Sequence, residues 1–115
     1  MHHISIDVET FSSVDIKKAG AFKYTESPDF QILLFAYSLD GAPVQVIDLM
    51  TPNACLPKDV LRWLFDPACI KHAFNAIFEI LALSRYFGLT DAETEAWLPQ
   101  WRCTMLHAMY LGLPR

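Results

Sequence analysis

Residues 4–13 read ISIDVETFSS, and how the two acids in this run are explained decides the fold of the chain. Ile4, Ile6 and Val8 are the β-branched residues of a strand, whereas Asp7 and Glu9 are types that a central strand normally excludes. Side chains two apart on a strand point the same way, so Asp7 and Glu9 share one face while Ile6 and Val8 share the other. Two carboxylates that close repel unless they are protonated or bridged by cations, and a divalent metal is the economical explanation. The bland alternative is a chance pair on a solvated face, in a chain that contains 13 acidic residues.

Outward from this strand, the pattern predicts an α/β sheet. FSSVDIKKAGAFKYTESPDF (11–30) reads as a long polar connection, and QILLFAYSL (31–39) as a strand covered on both faces. Asp40-Gly41 favours a hairpin into VQVIDL (44–49). Pro57 suits the first turn of a helix with Val60, Leu61, Leu64 and Phe65 inward, ended by Pro67. CIKHAF (69–74) is a short strand. Asn75 is a good N-cap for a helix over 76–88, with Ile77, Ile80, Leu81 and Phe87 inward and Gly88 closing it. TDAETEAWLP (90–99) reads as an acidic surface loop, QWRC (100–103) as a fifth strand, and Thr104 as the cap of a last helix. The predicted order is β-β-β-α-β-α-β-α.

Composition narrows the function classes. The 115 residues make one domain, with 53% hydrophobic residues and a mean hydropathy of +0.23. That apolar share predicts surface meant to be covered, and hence self-association as a homodimer. No apolar run approaches the ~20 residues of a membrane span, and no signal segment opens the chain, which reads as soluble and cytoplasmic. Cys55, Cys69 and Cys103 are widely spaced and read as small apolar residues, not as a disulfide framework or zinc site. Trp63, Trp97 and Trp101 read as core or cover. The net charge of −4 gives no global attraction to nucleic acid, so any such contact needs a local patch or metal ions. Lys17, Lys18 and Lys23, with Phe22 and Tyr24 among them, read first as a solvated loop and second as a small basic and aromatic patch for a single-stranded end.

The second acidic motif is FNAIFEIL (74–81), in which Asn75 and Glu79 are separated by one helical turn. Taken singly, Asn75 is a cap and Glu79 a solvated helix acid. Together with Asp7 and Glu9 they resemble the DnaQ-like, ribonuclease H-like 3'-5' exonucleases, most closely the exonuclease domain of phage-type family A DNA polymerases. IDVETF (6–11) is similar to their first motif, FNAIFE (74–79) to their second, and WRCTMLHAMYLGLP (101–114) to the strand and helix that follow. The stretch from Asp15 to Gly41 also resembles the phage enzymes.

The resemblance implies a mixed five-stranded sheet with flanking helices, and hydrolysis of phosphodiester bonds in DNA by two Mg²⁺ or Mn²⁺ ions ~3.5–4 Å apart. It implies Asp7 as the bridging ligand, Glu9 as ligand of the water-activating ion and Glu79 as support for the second. Thr10, Phe11, Asn75 and Phe78 would contact the terminal nucleotide of a single-stranded DNA 3' end. Glu79 stands where most of the wider family has Asp, and Phe74 where many have His. The family also needs a fourth acid preceded by Tyr or His, and Tyr86, Tyr110, His72 and His107 all lack it at the required spacing. Residues 1–115 are therefore expected to be a single exonuclease-like domain, C-terminally incomplete and weak or inactive, with a polymerase domain following in the full-length protein. The alternative is a non-catalytic binding or assembly module of the same fold. An unrelated phosphotransferase fits poorly, because no phosphate-cradling Gly-rich loop appears among four glycines.

Overall fold

Strand β1 (His3–Phe11) alternates as its sequence predicts: Ile4, Ile6 and Val8 are buried, and His3, Ser5, Asp7 and Glu9 are exposed. The structure, a computed structural model, describes residues 1–104. β1 pairs antiparallel with β2 (Gln31–Leu39), with Ile4 opposite Leu39 and Val8 opposite Phe35. On its other side β1 pairs parallel with β4 (Ile70–Ala73), through His3, Ile4 and Ser5 alone. β3 (Gln45–Asp48) extends the sheet beyond β2 in the antiparallel sense, and β5 (Trp101–Cys103) extends it beyond β4 in parallel. The order β3-β2-β1-β4-β5 is the expected mixed five-stranded, ribonuclease H-like sheet. The predicted Asp40-Gly41 turn is present, both residues having positive φ (51° and 77°), which suits this pair.

The covered face carries the core. Helix α2 (Lys58–Phe65) buries Val60 and Leu64, and α3 (Ala76–Phe87) buries Ala76, Ile80 and Leu83. α3 ends at Gly88, left-handed at φ 67°, where the Leu89 N–H donates to Ser84 O at 2.9 Å. Trp97 and Trp101 meet edge to face at 5.2 Å, and the Trp97 indole N–H donates to Leu64 O at 2.8 Å. Both tryptophans are core, and Trp63 packs on the core at Tyr37. Lys71 is fully buried, its ammonium donating to Asp66 O and Gln100 Oε1, and burial lowers its pKa. Of the cysteines, Cys69 is buried, Cys103 half-buried and Cys55 exposed, and all are free thiols.

Several expectations are corrected. The polar connection contains a helix, α1 (Ile16–Glu26), capped by Asp15, whose carboxylate accepts from the Lys17 N–H at 2.9 Å. It kinks at Gly20 (φ 88°, ψ 166°), and Ile16 and Phe22 stay exposed, so it lacks the apolar stripe by which a helix is recognised. The acidic loop contains α4 (Asp91–Trp97), which opens with a capping box: Thr90 Oγ1 accepts from the Glu93 N–H, and Glu93 Oε1 accepts from the Thr90 N–H. A single 3-10 turn, Leu98–Gln100, leads into β5.

Pro57 sits at the N-cap of α2, one residue outside the helix, and Phe65 is 43% exposed, its ring stacked on Trp97. Ile77 points out of α3 at 60% exposed, its inward place taken by Ala76 and Glu79. β2 is fully buried only at Ile32 and Phe35, so it is not covered on both faces by the described residues. The helix expected beyond Thr104, with His107 and Tyr110, lies outside the described residues. No helix among the described residues is long and apolar enough to cross a membrane.

Candidate functional site

β1 outruns its parallel neighbour. β4 is paired to β1 only as far as Ser5, and the chain then turns at 74–75 into α3. From there on, the edge of β1 facing β4 needs other hydrogen-bond partners. Glu79, in the first turn of α3, supplies one: its Oε2 accepts from the Val8 N–H at 3.2 Å. A junction outside the carboxyl ends of parallel strands is where open α/β sheets place their sites.

Glu79 is thus not a solvated helix acid. It is 5% exposed. Its pKa is pushed up to about 8, first by burial and then by the Asp7 carboxylate, against the opposing Val8 hydrogen bond. Asp7 is exposed on β1 beside that contact. The structure therefore brings Asp7 and Glu79 together, and at neutral pH the pair shares its space by keeping the buried member protonated.

Glu9 lies exposed on the same face of β1 as Asp7, but among the described residues no group of three or more His, Cys, Asp or Glu side chains is close enough together to hold a metal ion. Carboxylate oxygens are the donors that hard divalent cations take, and the Asp7–Glu79 pair suits such a cation, whose charge would replace the proton on Glu79.

The register of β1 against β2 shifts between Glu9 and Thr10. Thr10 is half-buried there, and its Oγ1 lies 2.9 Å from the Tyr24 hydroxyl of α1. The Tyr24 ring lies 5.9 Å from Phe78 and 6.0 Å from Phe30. Thr10, Tyr24 and Phe78 are therefore one cluster, which anchors α1 beside the Asp7–Glu79 pair. Phe11 is 47% exposed at the end of β1. Asn75 occupies the N-cap of α3, yet its side chain makes no capping hydrogen bond, contrary to expectation; its carbonyl accepts from the Phe78 and Glu79 N–H groups. Lys17, Lys18 and Lys23 are exposed on α1.

Sequence reasoning missed the Val8 N–H, which any residue type supplies, and a polar knot that ties the chain before α1 to the chain after it. There Asp29 accepts from the Ser27 hydroxyl and from the Ser13 N–H at 3.1 Å, and these bonds hold its carboxyl below the usual range. The neighbouring Ser, Asp and Pro residues were the available signal. His72 lies within β4, its Nε2 2.8 Å from His3 Nδ1, and burial followed by His3 and Arg102 lowers its pKa.

Over 114 residues, 99% of its length, the chain is 51% identical to a protein named DNA polymerase from Bacillus phage SP02. It spans 17% of that relative. No protein-family profile and no solved structure matches the chain. The similarity links this domain to one segment of a phage DNA polymerase and runs through β1 and α3 alike.

Proposed function

We propose that the chain is the 3'-5' exonuclease part of a phage or prophage DNA polymerase, acting on the 3' end of single-stranded DNA with Asp7, Glu9 and Glu79 as metal-binding carboxylates. The observation that carries this reading is the meeting of Asp7 and Glu79 at the end of the central strand of a ribonuclease H-like sheet. The identity to a phage DNA polymerase supports it. Two Mg²⁺ or Mn²⁺ ions, when bound, would supply an activated water and neutralise the leaving oxygen.

The chain's own groups have separate tasks. The Val8 N–H holds Oε2 of Glu79 in place, and Glu79 would hold a cation only as the carboxylate, which would tie loading to pH. Asp7 and Glu9 face solvent from one side of β1, where a strand end has access. Thr10, fixed by Tyr24, and exposed Phe11 follow directly and would meet the terminal sugar and base. Asn75 has a side chain free of capping duty, and Phe78 packs behind Tyr24. Lys17, Lys18 and Lys23 offer cations to the incoming backbone. A polymerase domain C-terminal to this one is part of the same proposal.

The test is a Mn²⁺ titration followed by amide NMR, paired with 3'-labelled single-stranded DNA. Broadening should begin at 7–10 and 75–79 and disappear in Asp7→Asn, and release of mononucleotides should vanish in Asp7→Ala. Broadening confined to 91–95 would refute the site. The lack of a three-ligand group among the described residues favours a second reading, a binding or assembly module without chemistry. It requires DNA binding that is indifferent to Mn²⁺ and no release of nucleotides.

A further inference from the structure

The ladder between β1 and β4 is short: His3, Ile4 and Ser5 face Ile70, Lys71 and His72. On its exposed side His3 Nδ1 lies 2.8 Å from His72 Nε2. The two ring centroids are 5.1 Å apart and the planes lie 27° from parallel. With the nitrogens that close, so wide a centroid separation sets the rings end to end, and a ring N–H of one points at the lone pair of the other. His72 stands opposite Ser5, on the last rung before the chain turns into α3.

Such a contact tolerates one added proton and not two. Two neutral imidazoles share the proton of a single N–H, and an imidazolium keeps the bond to a neutral partner. Two imidazoliums set N–H against N–H, with no acceptor at the contact. The surrounding charges do not relieve that state. Arg102, the register partner of His72 on β5, adds a fixed positive charge, and its guanidinium donates to Pro99 O and Trp101 O at 2.8 and 2.9 Å. Asp40, in the turn after β2, is occupied: its carboxylate accepts from the His3 N–H at 2.8 Å and meets His2 Nδ1 at 2.6 Å. Lys71, next to His72, is buried on the opposite face. Asp7 lies four residues beyond His3 on the same side of β1, about 13 Å along the strand and outside a Debye length of ~8 Å. Burial, followed by His3 and Arg102, lowers the pKa of His72. His3 is also fixed from the other side, since the Asp40 N–H donates to His3 O at 2.8 Å, so β1 keeps its place when the contact is lost.

We infer that the His3–His72 contact is an acid-sensitive latch: it holds β4 on β1 while the pair carries at most one added proton, and a second proton opens the ladder between the two strands. Opening loosens the start of α3 as well, because Asn75 follows His72 by three residues. The closed pair binds fewer protons than the opened one. The ladder is therefore at full strength above the ordinary histidine value of about 6.5 and weakens as pH falls through it. This inference is independent of the proposed function.

The experiment follows amide hydrogen exchange of the 115-residue chain in EDTA at about pH 6.5 and about pH 5, corrected for the intrinsic exchange rate. Uptake of one proton on opening changes protection by at most about tenfold per pH unit. Protection at 70–73 should fall about tenfold over this range, while that at 45–48, paired to β2 on the far side of the sheet, stays level. Glu79, with its pKa near 8, remains protonated throughout and adds no slope. His72→Gln should hold 70–73 level across the range, and His3→Gln should reduce the fall to a few-fold. His2→Gln and Asp7→Asn should each leave it at the wild-type size. Ring resonances of His3 and His72 should titrate in two coupled steps, and replacing either residue should leave the other with one. Unchanged protection at 70–73 in the wild type, a wild-type fall in His3→Gln or His72→Gln, or independent single-step titration of the two rings would each overturn the latch. His3 is exposed, so His3→Gln keeps the test decisive if His72→Gln fails to fold.

Discussion

Replacing Glu79 by Gln should stabilise the metal-free protein, and by an amount that depends on pH. The native carboxyl is held at about 8 against an ordinary value of 4.5, because it is buried beside Asp7. Between those limits the folded chain binds a proton that the unfolded chain has lost, so wild-type stability falls as pH rises from about 4.5 to about 8 and is level beyond. Linkage puts the deficit at about 1 kcal/mol at pH 5 and about 3 kcal/mol at pH 7. Gln keeps the acceptor for the Val8 N–H and has no proton to lose. The Tm gap between Glu79→Gln and wild type should therefore widen by about 8 °C from pH 5 to pH 7, at roughly 4 °C per kcal/mol for a domain of this size. The assay is thermal unfolding by circular dichroism in EDTA at half-unit pH steps. A gap that does not change between pH 5 and pH 8 would refute the account of Glu79 as a buried, protonated carboxyl. Under the proposed function, Mn²⁺ should close the gap by stabilising the wild type alone.

Tyr24→Phe removes the hydroxyl shared with Thr10 and should destabilise by about 1 kcal/mol in urea unfolding. It should also raise amide exchange in α1, since the Tyr24–Thr10 bond ties that helix to β1. Thr90→Ala deletes half of the capping box of α4 and should lower stability by about 1 kcal/mol. Thr90→Ser, which keeps the hydroxyl, should restore most of it.

Local sequence pattern determined the sheet. Alternating Ile4, Ile6 and Val8, the Asp40-Gly41 turn, and the apolar runs at 31–39 and 69–74 each encode a strand through interactions with near neighbours; a strand formed in each of the five stretches read as one, although β1 runs on to Phe11, into the segment read as a connection. The same holds for α2 and α3, whose Val60, Leu64, Ile80 and Leu83 recur at helical spacing. α4 was legible too, since Thr90 and Glu93 spell a capping box that the acidic composition of the segment obscured. α1 was not legible in this way: it is kinked at Gly20 and exposes Ile16 and Phe22, so its place depends on contacts that Tyr24 makes with Thr10 and Phe78, 14 and 54 residues away.

The site divides along the same line. The spacing of Asp7 and Glu9 already put them on one face of a strand, because strand geometry is local. Whether Glu79 faced solvent or the sheet was undecided by spacing, since a helix acid can do either. Tertiary structure settled it by ending the pairing of β4 at Ser5, which left the Val8 N–H open to a partner 71 residues distant and drew a carboxyl into the interior against Asp7. Burial and charge proximity are sums over residues that folding brings together, so the raised pKa of Glu79 belongs to the assembled structure and to no segment of the sequence alone.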